Sequence, residues 1–385
     1  MPHNRSNGSK GYDALVVGAG VVGLACAWRA ARRGLRVCVL ERDRPGAGAS
    51  GVAAGMLAPV GEVSWGEERL LRANLASASA WPGFAAELGE AAGRPVGFNA
   101  RGALHVGLDR DEAEELRRRH ELQVSLGLEA DWLRPTECRR LEPGLATSVA
   151  GGIHAPTEAE ADPRAVVAAL AEAVSRAGGE LIAGDEPSEA LGGGQRIEGV
   201  RTRGGREIRA GRVVLASGAW SGEADWLPAE ARPPVRPVKG QILVLRGTEP
   251  ACERILASRW VYLVPRADGR LVVGATVEER GFEATVTAGG VHELLREAYR
   301  LLPEVAELEI EEMTAGLRPG SPDNAPLVGA GRLEGLVLAT GHYRNGILLA
   351  PLTADAVVAE LTGSEPPEAA AGLAPARFEH AGAPA

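Results

Sequence analysis

Residues 13–41 carry the pattern that most restricts this chain: an apolar run, glycines spaced Gly18-x-Gly20-x-x-Gly23, a helical stretch, and an acid, Glu41. Asp13-Ala-Leu-Val-Val-Gly reads as a buried strand closed by glycine. Val22 to Arg33 repeats apolar residues at helical spacing and stops at Gly34, a C-cap residue. A second strand, Leu35 to Leu40, ends at Glu41. Together they form a βαβ unit of about 30 residues, the opening of a parallel, doubly wound sheet. Gly18 permits the tight turn, Gly20 lets backbone approach a pyrophosphate, and Gly23 lets helix and strand pack closely. The helix N-terminus offers unpaired N–H groups to phosphates. Glu41, 18 residues after Gly23, suits ribose hydroxyls and disfavours a 2′-phosphate. This pattern predicts dinucleotide binding without separating NAD from FAD.

The chain has 385 residues, enough for two domains of about 100–200 residues each. Helices are expected over 67–93, 110–126, 162–177 and 290–301, with Asp162 as N-cap and Pro163 at the first helical position. Strands are expected at 180–183, 196–203, 206–209 and 212–216. Short β-branched runs between turns over 240–278 predict an antiparallel sheet. Strand 336–339 and helix 346–361 then return the chain to α/β character. The expected fold is α/β: a Rossmann-like dinucleotide-binding domain with an inserted antiparallel α+β substrate domain. Its segments are 11–93, 150–222 and 318–363 for the first domain, and 94–149 and 223–317 for the second. Residues 1–10 and 364–385 read as flexible termini.

A net charge of −9 argues against nucleic acid or an anionic membrane as the main partner. Cys26, Cys38, Cys138 and Cys252 form no CxxC pair and read as buried reduced thiols, and no Cys/His spacing supports a metal site. The polar N-terminus lacks the apolar stretch of a signal peptide, and the run Ala14–Trp28, 15 residues broken by glycines, is short for a membrane span. A cytoplasmic location is the resulting expectation.

Two later segments favour FAD. Arg212-Val-Val-Leu-Ala-Ser-Gly218-Ala-Trp220 is a buried strand ending in small residues, suited to pass beneath a flat ligand. Gly341-His-Tyr-Arg-Asn-Gly346 begins a helix on a glycine-bounded turn. Such a helix N-terminus favours the negative charge that builds on a reduced flavin, whereas a nicotinamide needs no anion site.

With these pieces the chain resembles the glycine oxidases of thiamine biosynthesis, within the D-amino-acid oxidase and sarcosine oxidase superfamily. The resemblance covers residues 12 to 363 and rests on Val17–Gly23, Ala53–Leu57, Pro237–Gly240, Tyr262–Arg266, Val273–Thr276, Gly316–Gly320 and Gly341–Pro351, in that order. It implies non-covalent FAD, a small amino-acid substrate, dioxygen as acceptor and a homo-oligomer, a homotetramer in relatives. It places Val21, Val22, Glu41, Arg42, Ala49, Ser50, Ala54, Gly55, Met56 and the stretch His342, Tyr343, Arg344, Asn345, Gly346, Ile347 and Leu348 along the cofactor, with Ser188 near the adenine. Arg318 would bind the substrate carboxylate, Tyr262 would close over the substrate, and Arg344 would lie near both substrate and flavin. The family pattern often carries His where this chain has Trp260, and Met in some members at Val277.

The chemistry of the residues agrees with that implication. Arginine matches a carboxylate with two parallel hydrogen bonds. Arg318 has a structural alternative, a carbonyl cap or a pair with Asp323; Arg344 has helix capping, Tyr262 strand packing, and His342 a structural or cofactor contact instead of a general base. No His or carboxylate stands out as an essential base, which suits hydride transfer from a neutral amine. Three readings remain: an oxidase of glycine, an oxidase or dehydrogenase of another small amine such as sarcosine, a D-amino acid or proline, and a non-catalytic flavin-binding subunit.

Overall fold

A computed structural model describes residues 11–378. In the first sheet, Tyr12–Val17 pairs in parallel with Val37–Glu41 on one side and Glu207–Leu215 on the other. Glu180–Ala183 and Leu336–Thr340 extend it in parallel, and Leu327–Ala330 closes one edge antiparallel. Side chains alternate across a strand, so each strand feeds two cores. Val16, Val39, Val214 and Val337 pack against helices Val21–Arg32, Glu68–Ala92, Pro163–Arg176 and Ala350–Thr362. Leu15, Val17, Cys38, Leu40, Val213 and Leu215 face the opposite cluster with Trp226 and Leu227.

The second sheet runs Glu309–Gly320, Arg236–Arg246, Arg270–Gly274, Tyr262–Pro265, Ile255–Ala257, Ala103–Gly107, Gly151–Ala155, Asp131–Leu133. Its neighbours are antiparallel except Ile255–Ala257 with Ala103–Gly107. Helix Ala288–Leu301 seals one face through Leu294, Ala298 and Leu301. On the other face Ile242, Val264 and Val272 meet Ala54, with Val52, Met56 and Tyr262 alongside. This contact sets the second sheet over the loop that follows the glycine-rich unit.

Expectation and structure differ at four places. Strands 206–209 and 212–216 are one strand, Glu207–Leu215, which pairs antiparallel with Arg196–Thr202 at its start and parallel with Tyr12–Val17 further on. Strand Gly151–Ala155, assigned by sequence to the first domain, pairs with Ala103–Gly107 in the second sheet. The closing helix starts at Ala350, with Pro351 in its first turn, because residues 342–349 form turns and Tyr343 takes φ +46°. Residues 364–378 are not a loose tail. Ala370 and Leu373 are buried, and Arg377 pairs with Asp323 at 2.8 Å. Residues 1–10 and 379–385 lie outside the described residues.

Candidate active site

One cavity of about 510 Å³ runs from the glycine-rich loop to the inner face of the second sheet. Gly18 stands at φ +109°, and a Cβ there would lie 2.5 Å from Ala216 O. A Cβ on Gly23 would lie 2.0 Å from Gly18 O, so Gly23 works in helix–strand packing and is off the cavity wall. Helix Val21–Arg32 has no side-chain cap from Gly20. Its Val21 N–H donates instead to Ser50 Oγ at 3.0 Å. Glu41 accepts from Ala19 N at 2.7 Å and Asp43 N at 2.9 Å, which braces the loop while Glu41 still lines the cavity. Arg42 lies 4.6 Å from the Trp220 ring centroid, and both line the same end. A helix N-terminus without a side-chain cap, an acid beside it and one cavity leading away from both fit a dinucleotide.

The middle wall is Val22, Ala49, Ala54, Gly55, Met56 and Gly218. Gly55 is irreplaceable by a larger residue: its φ is +78° and a Cβ would lie 1.9 Å from Ala161 O. Buried Arg266 holds this loop by donating to Ala54 O and pairing with Glu160. His342, Tyr343, Gly346 and Ile347 also line the cavity. Burial pushes the His342 imidazole down to about 3, so the ring is neutral, and its Nε2 lies 2.9 Å from Thr353 Oγ1. That is a structural contact. Leu348 is off the wall, its carbonyl accepting from Ser77 Oγ at 2.6 Å and Trp81 Nε1 at 2.9 Å. Asn345 lines a smaller adjoining pocket, and exposed Ser188 donates to Arg201 O at 3.1 Å while its neighbours Glu186 and Pro187 reach the cavity.

At the far end stand Tyr262, Arg318 and Arg344. Arg318 Nη1 donates to Thr276 O at 3.0 Å and Lys239 O at 3.3 Å. The carbonyl-capping role and the cavity position therefore coexist, and Asp323 pairs with Arg377 instead. Burial pushes the Tyr262 phenol up, and the neighbouring Arg318 guanidinium pulls against that shift. The Tyr262 ring lies where a side chain at Gly274 would be, 2.4 Å from such a Cβ. Arg344 is exposed and lines both the main cavity and the adjoining pocket.

Glu62, Ile242 and Thr340, outside the motifs singled out above, also stand on the wall. Glu62 had a faint signal, an acid ending the apolar run from Met56 to Gly61. The others come from strands whose facing is set by pairing.

A family model described as FAD dependent oxidoreductase matches residues 13–361. The chain belongs to the FAD dependent oxidoreductases. Among this oxidoreductase's relatives, the glycine oxidase of Geobacillus kaustophilus is 35% identical over 369 residues, covering 94% of this chain and 96% of that protein. The bifunctional protein ThiO/ThiG of Trichormus variabilis is 38% identical over 347 residues, 89% of this chain and 51% of the relative. The chain thus spans about half the length of that bifunctional relative. The crystal structure of the Geobacillus glycine oxidase matches with a TM-score of 0.88 at 33% identity, covering 94% and 98% of the two chains. Among the described residues of this oxidoreductase, no helix is long and apolar enough to cross a membrane. Its four cysteines are buried and unpaired.

Proposed function

We propose that this oxidoreductase oxidises the amine of glycine to the imine, releasing glyoxylate on hydrolysis, with dioxygen reduced to peroxide, and that it serves thiazole formation in thiamine biosynthesis. The observation that carries the reading is the Arg318 guanidinium, backed by two carbonyls, on the wall of the same cavity as the glycine-rich cradle. FAD, when bound, takes up hydride and passes electrons to dioxygen. The chain's own residues orient and shield. Gly18, Gly20 and the N-terminus of helix Val21–Arg32 would hold the pyrophosphate, and Glu41 the ribose. Arg318 holds a carboxylate, and Tyr262 covers that end with an apolar ring bearing a hydroxyl.

Glycine leads because named glycine oxidases match nearly the full chain. The hydrogen cyanide synthase subunit HcnC of Pseudomonas aeruginosa, 30% identical over 89% of this chain, favours a second reading: a subunit of a larger oxidoreductase complex. We place the enzyme in the cytoplasm as a homo-oligomer, tetrameric as the family resemblance implies, and light scattering on the holoenzyme tests the assembly. Anaerobic titration with glycine, sarcosine, D-alanine and D-proline tests the activity. Glycine should bleach the flavin, and re-admitted air should restore the colour with peroxide. No bleaching by any of them would refute the assignment.

A further inference from the structure

Glu62 shares the far end of the cavity with Arg318, Arg344 and Tyr262. Its loop is pinned from behind. Gly61 N–H donates to Glu158, Gly61 O accepts from Arg119 at 3.3 Å, and Val60 O accepts from Gln123 at 3.0 Å. Glu158 is fully buried and lies 3.3 Å from His105 Nε2. Glu158 is thus committed to holding backbone. Glu62 is half-buried; its backbone N–H donates to Ala58 O at 3.4 Å, and among the described residues its carboxylate makes no hydrogen bond or ion pair. A cavity-facing carboxylate without a partner on a rigid loop is arranged for an incoming cation.

An amino acid arrives as a zwitterion, and Arg318 takes its negative end. We propose that Glu62 receives the positive end and accepts one proton from the substrate ammonium. This inference rests on the amino-acid oxidase reading above. The substrate N–H bond breaks, an O–H bond forms on Glu62, and the electron pair stays on nitrogen. The amine becomes neutral and electron-rich, the state from which the Cα hydride leaves. The two opposite charges cancel as the proton moves, so the step suits a site withdrawn from solvent.

The surroundings poise the carboxyl for this. Burial pushes Glu62 above the ordinary carboxylate range, Arg344 pulls it down, Glu158 adds to the rise, and His105 and Arg318 oppose it. Arg119 and Tyr262 also feel its charge. Behind it lies a pocket of about 10 Å³, room for about one water. Glu62, Glu67 and Asn74 line that pocket, and the buried Asn74 Oδ1 lacks a partner among the described residues.

The test is the pH profile of kcat/KM for FAD-loaded wild type and Glu62→Gln. Ionised Glu62 with an ammonium substrate holds the same protons as neutral Glu62 with a neutral amine. Wild-type kcat/KM should therefore be level from the Glu62 pKa up to the amine's own pKa. Glu62→Gln should fall at neutral pH by about a hundredfold or more and then climb about tenfold per pH unit toward the amine pKa. Glu62→Asp should restore the level profile at reduced rate. A Gln variant with the wild-type profile, or one lowered equally at every pH, overturns the inference. If the Gln variant holds no flavin, wild type decides alone: a neutral-pH rise that follows each substrate's amine pKa overturns it. Wild type that oxidises no amino acid would instead refute the functional reading.

Discussion

The Arg318 guanidinium fills the space that a side chain at Gly240 would need: a Cβ on Gly240 would lie 2.3 Å from Arg318 Nη1. The two residues are diagonal neighbours across the pairing of Arg236–Arg246 with Glu309–Gly320, where Val238 sits opposite Arg318, Lys239 opposite Leu317 and Gly240 opposite Gly316. Gly240 makes room for the guanidinium, and Lys239 supplies one of its two carbonyl anchors.

Arg318→Ala should leave the flavin bound and lower kcat/KM for glycine by about a hundredfold or more, since charged hydrogen bonds are worth about 1.5–3 kcal/mol each. Gly240→Ala should act in the same direction through displacement of the guanidinium. Steady-state kinetics beside visible absorbance of the purified proteins checks both. Wild-type-like kinetics in Arg318→Ala would remove Arg318 from the site.

Acid precipitation should release all the flavin into the supernatant. Among the described residues the cavity wall holds no cysteine, and all four thiols are buried elsewhere. Yellow colour kept in the washed pellet would mean a covalent bond.

Arg266→Met should weaken both stability and FAD affinity. It removes the partner of buried Glu160 and the donor to Ala54 O. Breaking a buried pair from one side costs about 3–5 kcal/mol. Thermal melting should show a large drop in Tm, and flavin titration a rise in Kd. An unchanged Kd would mean that the loop of Ala54 and Gly55 stands without this support.

His342 gives the holoenzyme a stability that depends on pH. Its folded-state pKa is depressed to about 3 by burial, while an unfolded histidine titrates near 6.5. Between those values the unfolded state binds more protons, so stability falls as pH drops below about 6.5, on the order of 2 kcal/mol lost by pH 5. His342→Gln should flatten that slope between pH 5 and 7.5. Melts of both proteins across that range measure it, and parallel slopes would sink the assignment.

Local pattern carried much of this molecule. Gly18, Gly20, Gly23 and Glu41 were readable because their tasks lie within one βαβ unit, where spacing alone sets geometry. The resemblance placed Tyr262, Arg318 and Arg344, and the structure brings all three to one end of one cavity. Ser188 and Leu348 are expected along the cofactor by resemblance alone; the Ser188 hydroxyl and the Leu348 carbonyl are engaged with Arg201 O and with Ser77 and Trp81, since a shift of one residue on a strand or turn changes where a group points. The segment 364–378 read as a loose tail on composition, yet buried Leu373 and the pair of Arg377 with Asp323 tie it down.

The amino-acid order thus determined the phosphate-binding unit, the alternation of strand faces and the class of cofactor, all of which depend on short-range spacing. Folding in three dimensions decided which side chains meet across the two sheets. Gly240 beneath Arg318, Gly274 beneath Tyr262, and Glu62 held by a loop that Glu158 and Arg119 secure from distant elements are relations of register and packing. Residues far apart in the chain acquire a common environment only once the strands are paired, and charge, burial and reach are properties of that environment.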